Sequence, residues 1–202
     1  MRYAMSQKLF GRFDVAQEPY KRNSDKVFIY YLGAGFCPWC AAERWSIVEA
    51  FKHFGSWEGL TLDKSAEKNE PFLNLPTYNF HGAKFKSDYV DFMGKEFQDR
   101  NFQDQELLTD ADNVILDNYN LQGVIPFIFI AGKYIRIGSG PKPQQLNGLT
   151  HDDVKKQLES KNTDLAKAIY DEANHIAALI YHALGDKVDV PEEVKKIASQ
   201  IK

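Results

Sequence analysis

The chain has 202 residues, 44% of them apolar and 13% aromatic, enough to bury a substantial core in one enlarged domain or two small ones. Its net charge of −3 is spread along the sequence without a basic block, which argues against nucleic acid or an anionic membrane surface as a partner. No stretch approaches the roughly 18 apolar residues of a membrane span, and two cysteines cannot build the disulfide framework of a secreted mini-domain.

The opening stretch, MRYAMSQKLFGRFDVAQEP (residues 1–19), lacks the apolar centre of a secretion signal. The expected location is cytoplasmic, or secreted or membrane-anchored if an N-terminal segment has been removed. Residues 26–32, KVFIYYL, form an unbroken apolar, aromatic and β-branched run that suits a strand buried on both faces. Gly33-Ala34-Gly35 ends the run. From Trp39 onward, AAERWSIVEAFKHFG sets Trp45, Val48 and Phe51 at helical spacing, with Gly55 as a stop. The segment FCPWC, residues 36–40, therefore lies at a strand-to-helix junction and holds both cysteines.

That junction gives the cysteines a chemistry. Cys37 falls at the N-cap or first turn, where free backbone N–H groups and the positive end of the helix dipole stabilise a thiolate. Pro38 fits an early helical position and leaves the amides of Trp39 and Cys40 to face the Cys37 sulfur. Thiols in such sites have pKa values of about 3.5–7.5. Cys40 lies one turn on, on the same face and within reach of a disulfide, placed to resolve a mixed disulfide formed by Cys37. A single C-x-x-C also admits half a metal site or coincidence. The histidines at 53, 81, 151, 175 and 182 do not fall in a C-x-x-C…H-x₃₋₅-H arrangement.

Residues 63–70, DKSAEKNE, read as an exposed polar loop. TYNF after Pro76 and the alternating SDYVDFMGKEF suggest two further strands rich in Tyr and Phe, the second near residues 89–97 and parallel to the first strand of the chain. Their aromatic side chains are expected either to wall a groove beside Cys37 or to enlarge the core. A helix over 105–118, with Leu107, Leu108, Ala111, Val114, Ile115 and Leu116, leads to GVIPFIFIAGKYIRIG, an antiparallel hairpin headed by Pro126. A proline at the head of a buried strand must sit where no ladder donor is needed, and a cis peptide is one way to achieve that. In the tail, Thr150 caps HDDVKKQLES, and a longer helix from Asn162-Thr163-Asp164 carries Leu165, Ile169, Ala173, Ile176, Ile180 and Leu184 on one face. Pro191 opens a last helix.

Together, VFIYYLGAGFCPWCAAERW and GVIPFIFIAGKYIRIG resemble the thioredoxin superfamily, with the two motifs in the expected order. FCPWCAAERW and the later EFQDRN resemble in particular an archaeal thioredoxin-like family of unknown function. The resemblance implies an α/β fold: a thioredoxin-like mixed sheet flanked by helices, here with an aromatic β insert and a C-terminal helical extension. The expected division is an enlarged domain over 1–160, with the insert at about 56–105, and the extension over 161–202, packed on the domain or on a dimer partner. The 150–160 helix would close the fold.

By position, the resemblance makes Cys37 the attacking thiol, Cys40 the resolving thiol and Pro126 the cis-proline facing the disulfide. Ile125 would offer its backbone to an extended substrate peptide, and Phe36 takes the place of the aromatic residue before the first cysteine. Trp39 is expected to be exposed and to touch substrate, with Trp45 in the core. Tyr31 stands where a thioredoxin has a buried aspartate, so proton transfer at Cys40 needs another carrier, and Glu43, one turn beyond Cys40, is the candidate. The alternative for Glu43 is a solvent pairing with Arg44 or Lys26.

The expected function is thiol–disulfide exchange through the C-P-W-C pair, without metal or organic cofactor. Its partners would be a disulfide-containing protein or small thiol and a recycling reductase or oxidant, with no nucleic acid, no membrane and a possible homodimer. Two rivals are a peptide-binding or chaperone-like module without redox turnover, and a dimer holding zinc or an iron–sulfur cluster through C-x-x-C from each subunit.

Overall fold

The computed structural model describes residues 8–201; Met1–Gln7, the first part of the stretch read for a secretion signal, and Lys202 lie outside the described residues. Its central element is β3 (Val27–Gly33), buried at every residue, which is why the sequence there is one apolar run rather than an alternation. On one side β3 pairs in parallel with β8 (Val90–Glu96), in register from Val27 with Val90 to Gly33 with Glu96. On the other it pairs antiparallel with β9 (Phe127–Ile130), which turns at Ala131-Gly132, both with positive φ, into β10 (Tyr134–Ile137). The short strands β1 (Lys8–Leu9) and β2 (Phe13–Val15) extend the sheet, giving the order β1-β2-β10-β9-β3-β8.

The two faces of β3 are sorted by side-chain alternation. Ile29 and Tyr31 face α1 (Pro38–Phe51) and α4 (Asp164–Leu184), within a core cluster that also holds Ile47, Phe51, Ile176 and Ile180. Phe28, Tyr30 and Leu32 face the opposite way, toward Ile115 and Leu116 of α2 (Asp110–Tyr119). The protein is thus a mixed α/β structure: a mixed sheet covered on both faces, with five α-helices among the described residues. None of these helices is long and apolar enough to cross a membrane.

Two helices differ from expectation. The α2 helix starts at Asp110, not 105, because Thr109 and Asp112 form a reciprocal cap: the Thr109 side chain accepts the Asp112 N–H and the Asp112 carboxylate accepts the Thr109 N–H. Leu107 and Leu108 precede that cap and are exposed. The face of the sheet beside α1 is closed by α4, whereas α3 (His151–Ser160) packs on the side of the molecule, with Val154 and Leu158 against Trp45 and Leu165. Two buried side chains on α3 cannot cover a sheet, while α4 presents all six residues of its apolar stripe as buried. The last helix, α5 (Glu192–Ala198), adds Val194 and Ala198 to the main core.

The region after α1 contains more strands than the two expected. β4 (Ser56–Glu58) pairs with β7 (Lys84–Lys86), and β5 (Thr61–Lys64) with β6 (Pro76–Asn79). Trp57, Phe80 and Phe85 pack with Phe51 of α1 and Phe92 of β8, so this part of the insert enlarges the core. Residues 63–70 are only partly an exposed loop. Ser65 and Ala66 are buried, and the Ala66 N–H donates to the carbonyl of Phe36, which brings the loop against the cysteine motif.

Candidate active site

Cys37 is the N-cap of α1, with extended backbone (φ −71°, ψ 121°), and Pro38 is the first helical residue. The Cys40 N–H donates to Cys37 Sγ at 3.2 Å, so one of the orphan donors of the first turn is spent on the sulfur. Both thiols are free, and they pack with Ala34 in a small apolar cluster against which Phe36, Phe97 and Ile125 lie. Cys37 retains slight exposure and Cys40 has none (4% and 0%), so an incoming group meets Cys37 first.

The two sulfurs are driven apart in acidity. Burial pushes the Cys37 thiol up, but hydrogen bonds from the Cys40 thiol and amide, the Arg44 charge and the Trp39 amide outweigh it and draw Cys37 below its ordinary value. Burial, together with the bond to and charge of Cys37, pushes Cys40 well above its own. Cys37 is thus the more acidic of the two thiols and Cys40 the less acidic.

Beneath the pair lies a buried ion pair that the sequence reading missed. Arg44 donates from Nε and Nη2 to the two carboxylate oxygens of Glu96 (2.8 and 2.7 Å), from Nη2 to the Ala34 carbonyl (2.8 Å) and from Nη1 to Thr77 Oγ1 (3.4 Å). Arg44 and Glu96 are each 1% exposed. The Ala34 carbonyl also accepts the Cys37 N–H, which ties Arg44 to the cysteine loop. Tyr31, in the place of an expected aspartate, is fully buried, and its hydroxyl finds no hydrogen-bond partner. Burial pushes that phenol well up, so it stays neutral beside Arg44, Cys40 and Glu96. The signal for Arg44 was available: it stands four residues after Cys40, on the same helical face.

The rim is aromatic. Phe36 stacks on Phe102 (centroids 4.6 Å apart) and meets Phe97 edge-on, while Trp39, 40% exposed, meets the edge of Phe72. Gly35 N–H donates to the Gln98 carbonyl and Phe97 N–H to the Gly33 carbonyl, and Arg100 reaches Asn74, so the loops on both sides of the motif are joined. A Cβ on Gly35 would lie 2.8 Å from the Arg100 backbone nitrogen, which explains glycine at that position. The Ile125–Pro126 peptide is cis; Ile125 packs on the cysteine cluster and Pro126 is buried beside it in the chain.

Of the residues expected at the site, Cys37, Cys40, Phe36 and Ile125 come together, Trp39 stands exposed in the first turn, and Pro126 heads β9 next to Ile125. Glu43 does not join them, nor is it in solvent. It is fully buried; its Oε2 accepts the Gly140 N–H (2.8 Å), and its Oε1 has no partner. Burial and the neighbouring Glu172 charge push its carboxyl well above the ordinary range, against the pull of Arg136 and Arg12. Glu172 is itself held by Arg12 (2.9 Å) and Arg136 (2.7 Å). A carboxyl raised in the folded state contributes stability at low pH that is lost as pH climbs past the unfolded value of about 4.3. Glu43→Gln is therefore expected to gain on the native protein by up to about 1.4 kcal/mol per pH unit through that window. Urea unfolding midpoints taken from about pH 4.3 upward read this directly, and parallel curves for the two proteins would contradict it.

Among the described residues no group of three or more His, Cys, Asp or Glu is gathered in metal-binding geometry. The site is that of an α/β protein carrying a dithiol at a helix N-cap over a buried guanidinium. The family described as Domain of unknown function (DUF929) matches residues 12–118, just over half the chain and all of the first motif, and the chain belongs to that family. No curated protein and no solved structure matches it.

Proposed function

We propose that the protein is a thioredoxin-like thiol–disulfide oxidoreductase acting through Cys37 and Cys40. The observation that carries this reading is the Cys40 amide on Cys37 Sγ at the first turn of α1, with the second thiol within hydrogen-bonding reach of the first. The fold reading is supported by the order β10-β9-β3-β8, in which β3 and β8 run parallel on either side of the α1 crossover and β9 and β10 form the antiparallel hairpin after the second motif.

In the cycle, the Cys37 thiolate attacks one sulfur of a substrate disulfide, the substrate S–S bond breaks, and the other substrate sulfur leaves as a thiolate. Cys40 then loses its proton and attacks Cys37 Sγ, releasing the second substrate thiolate. The substrate gains two electrons and the protein holds a Cys37–Cys40 disulfide; the reverse sequence oxidises a dithiol. The substrate is a disulfide-containing protein or a small thiol compound, and a reductase or oxidant restores the starting state. Neither metal nor organic cofactor enters these steps. Reduction of a small aromatic disulfide reporter, with dithiothreitol in excess, tests the reading. The protein should accelerate the reaction and Cys37→Ser should lose about 100-fold or more of that acceleration; equal rates for the two would overturn it.

A further inference from the structure

The two segments FCPWCAAERW and EFQDRN lie far apart in the chain yet meet under the cysteines, and the contact is made by the last charged residue of one and the first of the other. Arg44 is wholly buried, and its bonds go beyond neutralising Glu96: Nη2 also sits on the Ala34 carbonyl that receives the Cys37 N–H. Glu96 is the terminal residue of β8, paired with Gly33 immediately before that loop. Thr77, on β6, accepts from Arg44 and donates to the Ala41 carbonyl, which locks the guanidinium to its own helix.

A buried ion pair of this kind is costly to assemble, and an apolar pair of similar volume is often as stable. Its retention under a reactive sulfur calls for a role besides stability. We propose that Arg44 is the positioning cation of the dithiol: clamped by Glu96 and seated on the Ala34 carbonyl, it holds Cys37 at the helix N-cap and favours the reduced, thiolate form over the disulfide. The charged groups facing the sulfurs are Arg44 from α1 and Glu96 from β8, with the neutral Tyr31 hydroxyl from β3. Burial raises the Glu96 carboxyl above its ordinary value, while the charge of Arg44 and its bidentate bond pull the other way. A dithiol whose reduced form is stabilised is the more oxidising couple. The effect on potential rests on the proposed thiol–disulfide cycle, whereas the effect on Cys37 ionisation stands without it.

The test reads the pH dependence of Cys37 alkylation by iodoacetamide in two variants whose expected shifts have opposite sign. Glu96→Gln leaves the cation and removes its counter-charge, so the midpoint falls and the thiolate fraction below it rises several-fold. Arg44→Met with Glu96→Leu removes both charges while preserving volume, so the midpoint rises, by about tenfold in the ionisation constant; with full transmission to the couple this lowers the potential by about 30 mV. A merely structural role moves both variants the same way or neither, and either result overturns the proposal. If Glu96→Gln does not fold, the double variant decides alone: an unchanged or lowered midpoint rejects the cation's role. Should the thiols of the native protein never pair while the two midpoints move as described, the cycle fails and the inference about Arg44 survives.

Discussion

On the proposed cycle, replacing Cys40 by Ser is expected to leave a protein that traps its substrate instead of turning it over. Cys37 keeps most of what activates it, since the amide of residue 40, the Trp39 amide and the Arg44 charge all remain. The variant should still attack a disulfide, but no second sulfur stands behind the mixed disulfide to release it. One substrate half then stays covalently on Cys37, visible by mass and lost on adding dithiothreitol. Turnover with a substrate that needs intramolecular resolution should drop by about 100-fold or more. Burial sharpens the expectation, because position 40 is fully enclosed and a serine there supplies no sulfur for the intramolecular step. A Cys40→Ser protein that turns over at the native rate, with no adduct, would remove Cys40 from the mechanism.

The largest loss of stability should come from Trp45→Ala. Trp45 is 0% exposed, its indole N–H donates to the Pro76 carbonyl at 2.9 Å, and its ring lies 4.6 Å from that of Tyr78. Around it gather Ala41 and Ala42 of α1, Leu75, Leu146, and Val154, Leu165 and Ile169 of the C-terminal helices. The truncation deletes an aromatic body, leaves a carbonyl unpaired and opens a void between elements from three parts of the chain. About 3–5 kcal/mol should be lost, a large part of the roughly 5–15 kcal/mol that holds a domain. The urea midpoint reads this at once. A loss below about 1 kcal/mol would mean that the helices after residue 150 do not depend on this contact.

Much of the fold was legible because its signals are local. The unbroken run 26–32, the Pro38 start of α1, the Pro126 hairpin and the caps Thr150 and Thr163 each write their structure within a few residues, and all appear where the sequence puts them. The parallel partner of β3, expected near residues 89–97, lies at Val90–Glu96. What was not legible depends on partners distant in sequence. Leu107 and Leu108 continue the helical spacing of α2, but the Thr109–Asp112 cap sets the start after them. The strands β4, β5 and β7 are only three or four residues long, too short for a periodicity to show.

At the site the same division holds. The cysteines, Phe36 and Ile125 are marked by the motifs themselves. Glu43 and Arg44 are adjacent in sequence, and helical geometry alone allows either to approach Cys40; the choice is made by Glu96, 52 residues away, which draws Arg44 under the loop. Glu43 is taken instead by Gly140 and the Glu172 cluster, which no local pattern announces.

The most direct measurement is an equilibrium titration of the two thiols. The protein is held in buffers of graded dithiol-to-disulfide ratio, quenched with an alkylating tag, and the tags are counted by mass, with Cys37→Ser alongside. Species carrying two tags and none, interconverting reversibly at one midpoint, are the predicted result, and the Cys37→Ser protein should show no such transition. If both thiols stay reduced, or oxidise only between molecules, the pair at the start of α1 is not a redox couple and the proposed activity is wrong.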